Sequence, residues 1–169
     1  FKIEPFTLAE TEELFKTKGI ALDRYQVINI YMAIGGIPFY LEQIQKGLSA
    51  VQNIVNICFS PKGQLRDEFP FIFSSLFNNS EKHEKLLRAV FEHGNRATRK
   101  ELVKHLGWES SGDFSSKLNE LEESGFLKSY IPLGLSKSKK IYVVADYYTL
   151  FYFKFIEHST RYSEGMWLN

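Results

Sequence analysis

The chain has 169 residues, 44% of them hydrophobic, and a net charge of +1, which excludes a global electrostatic attraction to nucleic acid. A single cysteine excludes an internal disulfide and predicts a reducing, cytoplasmic setting. No apolar run approaches the roughly 18 residues of a membrane span and no signal peptide opens the chain, so we predict no membrane partner. Because the chain begins with Phe1 rather than Met, we expect a fragment of a longer protein or a processed chain.

Capping residues predict a series of short helices in the first half of the chain. Thr7 and Glu10 match a capping box, and Asp23 and Ser49 have side chains typical of N-caps. The apolar residues expected to form the buried faces of the second and fourth helices are Val27, Ile28, Tyr31, Met32, Val51, Ile54, Val55 and Cys58. A further helix over residues 64–77 contains Pro70, which predicts a kink or a split.

A sharp corner lies between the second and third of these helices. Gly35 and Gly36 end one helix, because glycine adopts the left-handed conformation without a clash. Pro38 opens the next, where its missing N–H costs nothing, and that helix should run to about Lys46. The two glycines also leave the backbone bare enough for a ligand to approach. The residues alone leave open whether this corner is only a tight turn or also contacts a ligand.

From Ser80 onward the pattern predicts a second module. Three helices are expected, and their N-caps are Ser80, Thr98 and either Ser110 or Ser111. Two β-like runs follow at residues 126–133 and 139–144. Three helices followed by a two-stranded hairpin is the order of a winged helix, a variant of the helix-turn-helix. Asp146 then caps an aromatic helix over residues 147–156, which is apolar almost all round and should pack on more than one side.

Charges in this second module bear on DNA binding. The predicted recognition helix, residues 111–125, is an unfavourable face for a polyanion, since Lys117 is outnumbered by Asp113, Glu120, Glu122 and Glu123. The candidate DNA-binding cations lie on the preceding helix and on the hairpin, and they are Arg96, Arg99, Lys100, Lys104, Lys137, Lys139 and Lys140. The sequence leaves open whether they contact DNA or form a solvated hairpin tip. The four histidines lack metal-ligand spacing, so we predict no metal site.

Several stretches resemble one family. Residues 31–41, YMAIGGIPFYL, resemble the GGIPxYL signature of the archaeal-type AAA+ ATPases, which belong to the wider STAND-like group of P-loop NTPases. Three further stretches, residues 3–10, 63–68 and 145–156, resemble the entry into the helical lid, the start of the helix before the winged helix, and the segment after the wing. In that family the signature lies in the lid and its glycine-x-proline element packs near adenine. The resemblance therefore implies that Gly35, Gly36 and Pro38 are nucleotide-proximal.

The chain departs from the family where phosphate and metal are handled. It contains no G-x-x-x-x-G-K-[ST] cradle and no hydrophobic strand that ends in paired acidic residues for Mg²⁺. We therefore predict that this chain alone does not hydrolyse ATP and carries no catalytic residue. ATP or ADP with Mg²⁺ would be bound by a missing N-terminal ATPase core, and none is expected on this fragment.

Together these observations predict a mainly α protein, a helical AAA+ lid bundle followed by a winged helix-turn-helix domain with a small β-hairpin. Residues 1–79 would form the lid, residues 80–145 the winged helix, and residues 146–169 an aromatic helix leading into a missing C-terminal domain. The leading hypothesis is a regulatory module that senses nucleotide and relays its state. The alternatives are a DNA-binding module and an interaction scaffold, and the chain is also a candidate homo-oligomer.

Overall fold

A computed structural model describes residues 4–159 of the chain. These residues are mainly helical and include a small antiparallel sheet. They divide into two compact units: unit 1 comprises residues 4–69 and 151–159, and unit 2 comprises Pro70–Leu150. The prediction of a mainly α chain is therefore confirmed. The first boundary between the two units falls at Pro70.

Unit 1 begins with four helices, which are Leu8–Thr17 (α1), Arg24–Ile34 (α2), Pro38–Leu41 (α3) and Ala50–Cys58 (α4). Their predicted caps are confirmed. Thr7 and Glu10 form a reciprocal capping box, Asp23 accepts the Gln26 N–H at 2.8 Å, and Ser49 caps α4. Each side chain satisfies a backbone N–H that has no acceptor within its helix.

Helix α3 ends at Leu41, so the predicted continuation to Lys46 is wrong. The reason is a buried asparagine on α4. The Asn53 side chain accepts the Gln45 N–H at 2.7 Å and donates to the carbonyl oxygens of Gln45 and Leu48, each at 3.3 Å. These bonds satisfy the loop backbone that a longer helix would have satisfied internally.

The buried faces of α2 and α4 also differ from the prediction. The buried residues are Val27, Ile30, Ala33 and Ile34 on α2 and Ala50, Asn53, Ile57 and Cys58 on α4. Met32 and Val51, both expected in the core, are more than half exposed. Both helices carry apolar residues on more than one side, so their periodicity could not select the face that packs. Burial raises the pKa of the Cys58 thiol to about 12, as expected for a core cysteine.

Helix α5 runs without a break from Glu68 to Leu76, so the predicted split at Pro70 does not occur. The helix begins only two residues before Pro70. The proline therefore lies in the first turn, where a backbone N–H has no acceptor inside the helix. The helix crosses the unit boundary. Phe69 packs within unit 1, whereas Phe73 lies 4.7 Å, ring centre to ring centre, from Phe126 within unit 2.

Unit 2 contains three more helices and a three-stranded sheet. The elements in chain order are α6 (Ser80–Glu92), β1 (Ala97–Thr98), α7 (Arg99–Leu106), α8 (Gly112–Glu123), β2 (Leu127–Tyr130) and β3 (Ile141–Val144). Strand β3 is central and pairs antiparallel with both neighbours. The caps at Thr98 and Ser111 are confirmed. The cap at Ser80 is wrong, because α6 begins at Ser80 itself after the left-handed Asn79.

The last helix begins in unit 2 and continues in unit 1. It runs as Tyr147–Phe151 (α9), a π-helical turn over Tyr152–Ile156, and a final turn over Glu157–Ser159. Asp146 caps it by accepting the Thr149 N–H and hydroxyl, each at 2.7 Å. In unit 1, Phe69 stacks on Tyr152 at 4.4 Å and meets Phe153 edge-on at 5.0 Å. The rest of the predicted third module, residues 160–169, lies outside the described residues.

Candidate functional site

The glycine corner joins α2 to α3 and holds the entry segment of the chain. Gly35 is left-handed, with φ 69°, and its N–H donates to the Tyr31 carbonyl oxygen at 2.8 Å. The Phe6 N–H donates to the Gly36 carbonyl oxygen at 2.8 Å, and the Tyr31 hydroxyl donates to the Phe6 carbonyl oxygen at 2.9 Å. Both polar groups of the Phe6 backbone are therefore bound at the corner.

This arrangement explains why Gly36 is glycine. A Cβ at this position would lie 1.9 Å from the Phe6 carbonyl oxygen, which is far inside van der Waals contact. The bare backbone face that we expected to admit a ligand is thus filled by the chain itself at Gly36. Tyr31, which the sequence placed only on a helix stripe, is the side chain that fixes this approach.

The outward side of the corner is apolar. Pro38 is half-buried, and Phe39 is 50% exposed. On the outer face of α2, Tyr25 is 73% exposed and Met32 is 59% exposed. Residues 34–41 contain no charged side chain. The corner can therefore contact a flat apolar group, and it offers no cation to a phosphate.

Three of the candidate DNA-binding cations share one side of unit 2. Strand pairing places Thr98 opposite Ile141, so the chain after β1 lies beside the chain before β3. This pairing brings the start of α7 near Lys139. Hydrogen bonds from Thr98 lower the pKa of Glu101, and the nearby charges of His93 and then Lys139 contribute less. Lys100, Lys104 and Lys139 are exposed and make no ion pair within residues 4–159.

The other candidates are placed differently. Arg99 links α7 to α8: its guanidinium donates to the Ser110 hydroxyl, to the Ser111 carbonyl oxygen at 3.1 Å and to the Ser115 hydroxyl at 3.2 Å. Lys140 donates to Glu122 at 2.9 Å. Arg96 is exposed and makes no ion pair within the part of the chain that the structure describes. The side chain of Lys137 is outside what the structure describes.

Helix α8 presents acidic groups to solvent. Its Lys117 is buried and lies 3.1 Å from Asp113, and Lys82 of α6 lies 3.3 Å from the same carboxylate. Hydrogen bonds from Lys117 and then Lys82 lower the pKa of Asp113. Glu120 is held at 2.7 Å by the buried His83, which stacks on Phe77. The lysine expected to offset the acidic side chains is thus itself buried and paired.

Two further features were sought among residues 4–159, a metal-binding cluster and a membrane-spanning helix. These residues include no group of three or more His, Cys, Asp or Glu side chains that could hold a metal ion. They also include no helix with both the length and the apolar character needed to cross a membrane.

Comparison with known proteins yields one distant relative. The chain is 30% identical over 165 residues to the uncharacterized protein MJECL04 of Methanocaldococcus jannaschii. The match covers 92% of this chain and 34% of that protein, so the chain spans about a third of the length of the relative. No family model matches the chain, and no solved structure matches it.

Proposed function

We propose that this chain is the regulatory C-terminal part of an archaeal-type AAA+, STAND-like ATPase. In this proposal unit 1 is the helical lid that closes on a bound nucleotide, and unit 2 is a winged helix that relays the nucleotide state. The observation that carries the proposal is the glycine corner. It combines the GGIPxYL resemblance with a hydrogen-bonded backbone anchor on one side and exposed apolar residues on the other.

The chemistry of the corner fits the base of a nucleotide rather than its phosphates. Pro38 and Phe39 offer apolar contact to a flat ring, and no charged side chain lies in residues 34–41. ATP or ADP would therefore take only base contacts from this chain. Its phosphates and Mg²⁺ would be held by the missing ATPase core, because the chain has no phosphate cradle of its own.

The anchoring of Phe6 supports a relay role. In the proposed protein the segment before Phe6 leads from the ATPase core, and both backbone polar groups of Phe6 are bound at the corner. If nucleotide binding shifted the corner, the shift would be transmitted directly to this connecting segment. The exposed Tyr25, Met32 and Phe39 would be covered by the core, as expected for apolar side chains at an interface.

The order of elements in unit 2 supports a winged helix. A helix, a short strand, two helices and a hairpin follow one another, and the short strand pairs with the last strand of the hairpin. The acidic solvent face of α8 favours a relay between protein domains over the reading of DNA by this helix. The relative MJECL04 extends about two thirds of its length beyond the match, which leaves room for a nucleotide-binding domain.

The test uses the full-length gene product. Pro38→Ala is expected to weaken ATP affinity at least tenfold, measured with a fluorescent ATP analogue, while the melting temperature of the 169-residue chain falls by only a few degrees. The matched control is Pro61→Ala, an exposed proline in a turn of the same unit. Unchanged ATP affinity in the Pro38 variant would show that the corner is only a turn and does not contact the nucleotide. Absence of a phosphate cradle upstream would refute the ATPase assignment.

DNA binding is the second candidate, favoured by the exposed side of unit 2 that carries Lys100, Lys104 and Lys139. In this reading α7 and the hairpin contact phosphates, and α8 stays away from the duplex. Affinity for duplex DNA should then fall with salt by a slope close to the number of phosphate contacts. Glu substitutions at the three lysines should reduce that slope, whereas Lys62→Glu, an exposed site in unit 1, should not. The absence of binding at low salt would eliminate this function.

A further inference from the structure

Tyr31 closes a ring of hydrogen bonds between the glycine corner and the entry segment, residues 4–7. At the end of α2 its carbonyl oxygen accepts the Gly35 N–H at 2.8 Å. The next residue, Gly36, accepts the Phe6 N–H through its carbonyl oxygen at 2.8 Å. The Phe6 carbonyl oxygen in turn accepts the Tyr31 hydroxyl at 2.9 Å. One residue of α2 therefore holds the corner through its backbone and the entry segment through its side chain.

This closed ring restrains the entry segment more than one hydrogen bond would. A single bond between the Phe6 N–H and Gly36 would leave the segment free to rotate about that bond. The Tyr31 hydroxyl fixes a second point on the same residue. A shift of the corner must then either carry Phe6 with it or break a hydrogen bond, and a partly buried polar group left without its partner is costly.

The residues proposed to contact the base are different ones. Pro38 and Phe39 follow the corner, and neither hydrogen-bonds to the entry segment among the residues that the structure describes. Tyr31 precedes the corner, and its hydroxyl binds Phe6. The base contact and the connection to the entry segment can therefore be separated by substitution of single residues.

We propose that the Tyr31 hydroxyl is the positioning group that couples nucleotide binding at the corner to the entry segment. This inference rests on the proposed function, in which the entry segment leads from the ATPase core. Contact of the base with Pro38 and Phe39 restrains the corner, and the ring transmits this restraint to Phe6. Without the hydroxyl, the corner still binds the base, but the entry segment no longer moves with it.

The first test measures hydrogen exchange in the 169-residue chain without nucleotide. Tyr31→Phe removes the hydroxyl and keeps the aromatic ring. The Phe6 amide is expected to exchange about fivefold faster, because opening of the entry segment then breaks one hydrogen bond fewer. Amides of α4, which lies outside the ring, should exchange as in the wild type. Tyr130→Phe, an exposed tyrosine of β2, is the matched control and should leave exchange at Phe6 unchanged. Unchanged exchange at Phe6 in Tyr31→Phe would overturn the proposal.

The second test measures coupling in the full-length gene product. In the wild type, ATP is expected to slow exchange of the Phe6 amide about fivefold or more. In Tyr31→Phe the affinity for a fluorescent ATP analogue should stay within about twofold of the wild type, whereas the ATP-dependent protection of Phe6 should be lost. A purely structural role would give the opposite pattern, with weaker affinity and faster exchange throughout unit 1.

The outcomes distinguish failure of this inference from failure of the proposed function. Unchanged ATP affinity in Pro38→Ala would refute the base contact, and the coupling with it. If Pro38→Ala weakens ATP binding but Tyr31→Phe retains the ATP-dependent protection of Phe6, the proposed function stands and the coupling role of Tyr31 is excluded. A loss of ATP affinity in Tyr31→Phe as large as that in Pro38→Ala would also exclude it, because the hydroxyl would then act in binding itself.

Discussion

Gly36 has no side chain at a point where the Phe6 backbone lies within hydrogen-bond distance. Two physical demands meet at this corner. Gly35 requires freedom in φ, whereas Gly36 requires the absence of a Cβ. The Tyr31 hydroxyl then binds the Phe6 carbonyl oxygen from the other side. Two adjacent positions can therefore require glycine for different physical reasons. Only the requirement at Gly36 depends on a segment far away in the sequence.

Gly36→Ala is expected to destabilise the chain by about 3 kcal/mol, because the added Cβ must displace Phe6 or break its hydrogen bond. The measurement is urea denaturation followed by tryptophan or far-UV signal. Gly47→Ala is the matched control: its φ is +85° and no atom lies within 4 Å of its added Cβ, so it should cost only about 1 kcal/mol of backbone strain. Equal losses of unfolding free energy in the two variants would contradict the close approach of the Phe6 backbone to Gly36.

At the scale of the element, α5 shows that the position of a proline within a helix decides its effect. Pro70 follows the start of the helix at Glu68 by two residues, so its missing N–H removes no intrahelical hydrogen bond. The sequence pattern placed the helix start several residues earlier, and a kink was therefore predicted. The observed start makes the same proline compatible with an unbroken helix.

Pro70→Ala should change the free energy of unfolding by less than about 1 kcal/mol, through the entropy of the unfolded chain. Ser74→Pro provides the contrast, since Ser74 is exposed in the interior of the same helix. There proline removes a hydrogen bond and clashes with the preceding turn, so we expect a loss of about 3 kcal/mol or more. Denaturant titration of both variants measures the difference. A large loss in Pro70→Ala would show that the helix needs the proline for another reason.

At the scale of the whole molecule, unit 1 is assembled from residues distant in the sequence. Phe153, which follows all of unit 2 in the chain, is buried and packs edge-on against Phe69 of unit 1. Unit 2 is thus an insertion between two parts of unit 1, and α5 and the last helix form its two connections. The predicted order of separate modules along the chain did not anticipate this, because aromatic residues do not specify their partners by spacing.

Phe153→Ala should therefore destabilise residues 4–69 although it lies far from them in sequence. The loss of a buried phenylalanine costs about 3–5 kcal/mol. Hydrogen exchange should show reduced protection in α1, α2 and α4, the three longest of the first four helices in unit 1. Phe71→Ala, an exposed phenylalanine, should leave exchange unchanged. Protection lost only in unit 2 would contradict the assignment of Phe153 to unit 1.

Local sequence patterns were sufficient to predict most helix starts, the corner and the hairpin. Capping boxes at Thr7, Ser49 and Thr98 act over three residues, so they form wherever the chain folds locally into a helix. Local patterns of residue types also predicted β2 and β3. Strand β1 was not predicted, because its two residues are too few to show a periodic pattern. Charge composition also identified the acidic character of α8 before its pairs were known.

Contacts between distant residues determine which helix faces are buried, which cations make no ion pair, and which backbone occupies the space beside Gly36. Apolar residues surround α2, so packing partners rather than periodicity buried Ile30 and exposed Met32. Arg99 and Lys140 look like Lys100 in sequence, yet hydrogen bonds to distant residues bind the first two and leave the third exposed. Burial, pairing and close approach join residues far apart in the chain, and no local pattern of residue types encodes them.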